Sequence, residues 1–169
     1  MGARAGGEWL IMSVLHKDET LSASTEVRAS ADQVYAVISD VTRIPEWSPE
    51  TTRAEWLAPD RFQAWNRRRL GRWRTGARVV EAEPGRSFSF IVQAMGGDWT
   101  QWTYLIEPGS SAGATRLTEV FRMCVPLPRA AVVFEHLFLF VRDRRADLQK
   151  NLEVSVDRIR TIVEAGADA

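Results

Sequence analysis

The chain has 169 residues, 45% of them apolar, with 22 basic and 22 acidic side chains and a formal net charge of zero. That length can bury one full core, and the charge balance supplies no electrostatic drive toward nucleic acid or an anionic membrane. A single cysteine, Cys124, excludes an intramolecular disulfide and suits a reducing compartment, so a cytoplasmic location is expected.

Residues 1–18 read as a flexible leader. Their apolar run from Trp9 to Leu15 follows Glu8, precedes no A-x-A-like site and is too short to span a bilayer, so no integral membrane segment is expected. One domain is expected over 19–166. Thr20 to Ala29 alternates as a first strand, with Leu21, Ala23, Thr25 and Val27 on one face. Ser30 and Gln33 make a capping-box pattern, and Val34, Val37, Ile38 and Val41 follow at helical spacing. Pro45 stops that helix from continuing, because the residue before a proline is pushed out of the helical region. A kinked second turn through Ile44 then leads to Trp47-Ser48-Pro49.

Short strand-like runs follow: Thr51 to Leu57, Arg61 to Arg69, Arg72 to Glu83, Ser87 to Ala94, Trp99 to Glu107 and Thr115 to Met123. Pro59-Asp60, Leu70-Gly71, Pro84-Gly85, Gly96-Gly97 and the loop Pro108 to Ala114 separate them. With the first, these make seven antiparallel strands. A long helix is expected from Arg129 to Ala165, ended by Gly166, with a stripe of Val141, Leu148, Leu152, Val156, Ile159 and Val163.

The order of strand, two short helices, six strands and long helix is that of the α+β helix-grip fold, also called START-like. The stretches "ASTEVRASADQVYAVISDVTRIPEWSPE", "FQAWNRRRLGRWRTGARVVEAEPGRSFSF", "WTYLIEPG" and "TRLTEVF" resemble the polyketide cyclase/dehydrase branch of the SRPBCC superfamily. The resemblance covers roughly Leu21 to Glu164. It implies a seven-stranded sheet curled around the C-terminal helix, with a ligand cavity between them. It does not select a reaction, since one fold hosts many functions. The stretch Val132 to Val141, VVFEHLFLFV, departs from the family in being apolar around its whole circumference.

Strand alternation places Phe62, Ala64, Asn66 and Arg68 on one face. The same pattern selects Trp73, Thr75, Ala77 and Val79; Phe88, Phe90 and Val92; Trp102, Tyr104 and Ile106; and Leu117, Glu119, Phe121 and Met123. Aromatic walls with a few polar groups are the usual make-up of a small-molecule pocket, although the same rings can simply fill a core. Phe134, Phe138 and Val141 of the apolar helix stretch complete the expected ligand-binding set.

Glu119 stands between Leu117 and Phe121 on the inward face, where desolvation raises a carboxylate's pKa and makes it a candidate acid or base for enolising a ketone or assisting dehydration. The alternative is a structural carboxylate held by Arg68, Asn66 or Thr75. Arg68 and Tyr104 are the candidate partners for orienting a carbonyl or phenol. His136 and Cys124 carry no activating signature. Arg67, Arg68, Arg69, Arg72 and Arg74, interleaved with Trp65 and Trp73, read as a solvated face pairing with Glu81 and Glu83 rather than a nucleic-acid stripe. The chain has no H-E-x-x-H, paired-cysteine, G-x-G-x-x-G or G-K-[ST] pattern, so neither metal nor cofactor is expected.

Three functions stay open on the sequence: a carrier of an aromatic, polyketide-like or lipid molecule; a cyclase/dehydrase acting on one; and an interaction module in which the apolar stretch 132–141 docks a second copy as a homodimer or meets a membrane-bound partner.

Overall fold

The computed structural model describes residues 15–126 and 143–167. Strand β1 (Thr20–Val27) leads into α1 (Ala31–Ile38), a single 3-10 turn at Val41–Arg43, and the short α2 (Ile44–Trp47). Six strands follow: β2 (Thr51–Ala58), β3 (Arg61–Arg68), β4 (Gly71–Glu83), β5 (Ser87–Ala94), β6 (Gly97–Pro108) and β7 (Thr115–Met123). Helix α3 (Arg144–Ala167) closes the described chain. The strands form one antiparallel sheet in the order β1-β7-β6-β5-β4-β3-β2. No helix among the described residues is long and apolar enough to cross a membrane.

Local chemistry explains the boundaries. Ser30 caps α1 and exchanges bonds with Gln33, which satisfies backbone donors that the helix start leaves free. Asp40 accepts from the Thr42 amide and starts the 3-10 turn afresh, while Pro45 sits in the first turn of α2, where a missing N–H costs nothing. The β5–β6 hairpin turns on Met95 and Gly96, whose φ angles of 50° and 82° are the two positive values of a type I′ turn. It therefore turns one residue earlier than the Gly96-Gly97 signal implies, and β6 begins at Gly97. Likewise β4 begins at Gly71, after a turn at Arg69 and Leu70.

Irregular register between Thr51 and Arg53, Trp56 and Ala58, Val79 and Glu81, and Val92 and Gln93 bends β2 to β6. Such bulges raise local twist, and the sheet curls inward on the helix side. Helix α3 lies mainly against β1, with α1, α2 and β7 also in contact. Its stripe of Leu148, Leu152, Val156, Ile159 and Val163 is at most 3% exposed. Two apolar clusters result. One runs from α1 and α2 across the sheet to Ile159 and Val163, and the other joins Leu15, Phe121, Met123, Leu148 and Leu152. Trp102 packs against both.

Several expectations change here. Helix α3 does not run on from Arg129: the Asp143 side chain accepts from the Ala146 amide and caps a fresh helix start at Arg144. At its other end Gly166 lies inside the helix, which reaches Ala167. Leu15, assigned to the leader, is 2% exposed in the second cluster, and Asp18 donates its amide to the Met123 carbonyl. Glu83 pairs with Arg86, and Glu81 accepts from the Ser87 hydroxyl, so neither serves the β3–β4 arginines. On that outer face Arg53 lies 4.7 Å from the Trp65 ring centroid. Phe134, His136, Phe138, Val141 and the whole docking stretch 132–141 lie outside the described residues.

One ion cluster ties the start of α3 to the far side of the sheet. Arg68 at the end of β3 meets Asp147 with both terminal nitrogens and Glu50 at 3.0 Å. Arg144 adds contacts of 3.5 Å to Glu50 and 3.4 Å to Asp147. All four side chains are 18–22% exposed, so removing one partner leaves charge poorly solvated. Arg68→Ala is expected to cost about 2 kcal/mol, and Arg68→Met with Asp147→Leu should recover most of it. Urea denaturation checks this: equal losses in the single and double variants would show that the pair does not hold α3.

Candidate functional site

Between the two apolar clusters lies a cavity of about 190 Å³. Its sheet wall is Phe62, Ala64 and Asn66 of β3, Trp73, Thr75 and Ala77 of β4, Phe90 and Val92 of β5, Thr100, Trp102 and Tyr104 of β6, and Glu119 and Phe121 of β7. Ile44 and Trp47 of α2, residues 48–51 after it, and Arg144, Leu148, Asn151 and Ser155 of α3 complete it. The rings brace one another edge to face, Phe62 on Phe90 at 5.0 Å and Trp102 on Phe121 at 5.2 Å. Free space arises where inward positions are small: Ala54 pairs with Ala64, Ala64 with Thr75, and Ala77 with Phe62 and Val92.

The deep polar group is built by sheet register. Tyr104 and Glu119 are direct partners across β6 and β7, so both side chains leave the same face side by side. Trp47 donates its indole N–H to the Tyr104 oxygen at 3.1 Å, leaving the phenol proton free for another acceptor. Glu119 is 2% exposed and Ser155, opposite on α3, is 4% exposed. Glu119 Oε2 and Ser155 Oγ are sealed from solvent among the described residues, and the Ser155 and Tyr104 hydroxyls face the Glu119 carboxyl.

Burial pushes the Glu119 carboxyl up to about 7, while the Ser155 and Tyr104 hydroxyls lie near enough to act in the opposite direction. Burial first, and then the Glu119 charge, push the Tyr104 phenol well above its ordinary range.

A second polar group lines the wall at β3 and β4. Thr51 donates to Asn66 Oδ1 at 3.0 Å, and Asn66 Nδ2 donates to Thr75 at 3.2 Å. Ser48 accepts from the Glu50 and Thr51 amides. The Glu50, Arg68, Arg144 and Asp147 cluster stands beside them, with its charges internally paired.

The structure thus brings together Phe62, Asn66, Trp73, Thr75, Phe90, Trp102, Tyr104, Glu119 and Phe121 around one space. Phe88 is not among them: at 2% exposed it is packed into the core where α1 covers β5. Arg68 is not a partner of Glu119 either. Three strands separate β3 from β7, and its guanidinium is committed to Asp147 and Glu50. Asn66 and Thr75, on the same distant strands, bond each other instead. Trp47, Asn151 and Ser155 were not anticipated. Ser155 had a legible signal, since it interrupts the stripe Leu148, Leu152, Ile159 at an inward position. Cys124 stays unremarkable, its thiol pushed up mainly by burial.

A seven-stranded antiparallel sheet gripping one long C-terminal helix, with two short helices after the first strand and an aromatic cavity between, defines the helix-grip or START-like class. Residues 18–161 match the family described as "Polyketide cyclase / dehydrase and lipid transport", and the chain belongs to that family. Solved structures agree on the fold. A polyketide-cyclase-like protein of Corynebacterium glutamicum is 27% identical, with 91% of this chain and 96% of that one covered and a TM-score of 0.58. The Zhui aromatase/cyclase of Streptomyces sp. R1128 is 15% identical over 86% and 93%, at 0.66. A START superfamily protein of Mycobacterium smegmatis is 18% identical over 88% and 97%, at 0.60. No curated protein matches the chain in sequence.

The raised Glu119 pKa fixes a stability profile. The folded protein holds this proton more tightly than the unfolded chain, so the contribution is fully present below about 4.5 and is lost as pH rises through about 7. Relative to Glu119→Gln, the native protein should lose on the order of 3 kcal/mol between pH 4.5 and 8. Denaturation of both proteins at a series of pH values checks this, and parallel curves would place Glu119 at an ordinary pKa.

Proposed function

We propose that the protein binds a hydrophobic small molecule of aromatic or polyketide-like skeleton in the cavity between the sheet and α3. The observation that carries this reading is space that the described residues leave unfilled beside rings that are otherwise closely braced. Proteins rarely keep such voids, because each costs packing energy. A cavity of about 150 Å³ admits benzene, so about 190 Å³ suits an occupant of one or two rings. Membership of a family whose description joins polyketide chemistry with lipid transport supports the same ligand class.

A second reading adds chemistry, and Glu119 is the observation that favours it. A carboxylate raised to about 7 by burial beside the cavity is poised to take a proton from carbon beside a ketone and return it elsewhere. Tyr104, with Trp47 already donating to its oxygen, has its own proton to offer the developing enolate. Holding a flexible chain in a folded shape supplies further rate by orientation.

Three tryptophans, Trp47, Trp73 and Trp102, line the space and report occupancy. Naphthalene should quench their fluorescence saturably, and Ala64→Phe, which fills the cavity, should weaken binding by at least about tenfold. Absence of a saturable signal, or equal binding by the filled and still folded variant, would sink the cavity reading. The enzymatic reading predicts that Glu119→Gln lowers turnover of a β-ketone probe by about a hundredfold or more while leaving naphthalene affinity in place. Unchanged turnover would remove Glu119 from the chemistry.

A further inference from the structure

The hydrogen bonds of the polar group on β3 and β4 run in one direction. Ser48 Oγ accepts the Glu50 and Thr51 amides at 3.3 and 3.1 Å, which occupies both its lone pairs, and its proton goes to Thr51 Oγ1 at 3.1 Å. Thr51 passes its own proton to Asn66 Oδ1 at 3.0 Å, and this turns the amide so that Nδ2 donates to Thr75 Oγ1 at 3.2 Å. Thr75 therefore accepts, and no acceptor among the described residues takes its proton or the second Nδ2 proton of Asn66. Both residues are half-buried and line the cavity, and Ala64, the partner of Thr75 across the strands, borders the same space. Hydrogen bonds in series polarise one another, so the terminal hydroxyl is a stronger donor than an isolated threonine.

Resting on the binding reading above, we infer that Thr75 and Asn66 form a donor-only subsite for a carbonyl oxygen, which selects a neutral ketone over a hydrocarbon or an amine of the same skeleton. A carbonyl oxygen has two lone pairs and no proton, so it can take the Thr75 O–H and the free Asn66 N–H together. A hydrocarbon strips water from both donors and replaces neither bond. An ammonium brings only donors to donors, and it must shed its hydration shell against aromatic walls. The ions beside this subsite, Glu50, Arg68, Arg144 and Asp147, pair with one another and leave no net charge to attract an ionic ligand. Thr51 acts on the carbonyl through Asn66. Without the Thr51 proton the Asn66 amide is free to turn over, and Thr75 then donates to Oδ1 and keeps no proton for the ligand.

Tryptophan-quenching titrations of the full chain with 2-acetonaphthone, its hydrocarbon isostere 2-isopropenylnaphthalene and 1-(2-naphthyl)ethylamine test this. The ketone is expected to bind at least about fivefold tighter than the hydrocarbon, with the amine weaker than the ketone. Thr75→Val keeps the side-chain shape and removes the hydroxyl, so it should bring the ketone down to the hydrocarbon's affinity without changing the hydrocarbon itself. Thr75→Ser should keep the preference. Thr51→Val should reduce it, again with the hydrocarbon unchanged. Equal affinity for ketone and hydrocarbon in the native protein overturns the inference while leaving the binding reading intact. A preference that survives Thr75→Val or Thr51→Val in full, or tightest binding by the amine, also overturns it. Failure of every probe to bind removes the binding reading and this inference together. Melting temperatures of the threonine variants within a few degrees of native show that the comparison is made between folded proteins.

Discussion

Seven strands curled into one sheet present more inward surface than a single helix can cover, and that mismatch shapes everything else in this molecule. Strands spaced about 4.8 Å apart give a sheet on the order of 30 Å wide, whereas a helix with its side chains is about 10 Å across. Helix α3, 24 residues long, spends its apolar stripe on β1 and the neighbouring end of the sheet. The strands beyond must be covered otherwise. Helices α1 and α2 and the Leu15 segment cover part of them, which yields two apolar clusters rather than one. Among the described residues the cavity is what remains between the clusters, and the ion cluster of Glu50, Arg68, Arg144 and Asp147 holds α3 to β3 across it.

That geometry also explains why a carboxylate can be buried here at all. An isolated charge in an apolar core is costly enough that the group shifts its pKa instead of keeping the charge. Glu119 follows that course, half neutral near pH 7, because the surrounding groups are hydroxyls rather than cations. Tyr104 is in turn fixed by Trp47, which is 1% exposed and carried on the short helix α2. Arg158 of α3 reaches the Trp47 carbonyl at 3.4 Å. The chain of support therefore runs from α3 to α2 to β6 to the carboxylate, and a change in how α2 sits would be felt at Glu119 without touching it.

Much of this was legible in the sequence, for definite reasons. Alternation has a period of two that survives bulges within a strand, so the inward rows of β3 to β7 could be read directly. The Ser30 box and the helix stripe are local signals of the same kind. What could not be read were pairings over long separations. Nothing local says that Arg68 meets Asp147, 79 residues away, rather than Glu119. Phe88 shares its periodicity with Phe90, and only the docking of α1 separates a core ring from a cavity ring. Attention to aromatic residues also hid the more telling signal: Ala54, Ala64 and Ala77 decide whether the rings close the space or border it.

Whether such a site carries its ligand or transforms it turns on one physical question, namely what satisfies Glu119 once the cavity is occupied. A ligand that hydrogen-bonds the carboxyl in its resting state stabilises bound ligand and transition state alike, and such uniform binding adds nothing to the chemical step. A ligand whose acidic carbon, rather than its hydroxyl, lies against the carboxyl gains nothing from it until proton transfer begins, and the same residue then stabilises only what develops during reaction. Both outcomes are available to one set of walls, because about 190 Å³ constrains the size of the occupant more than its orientation.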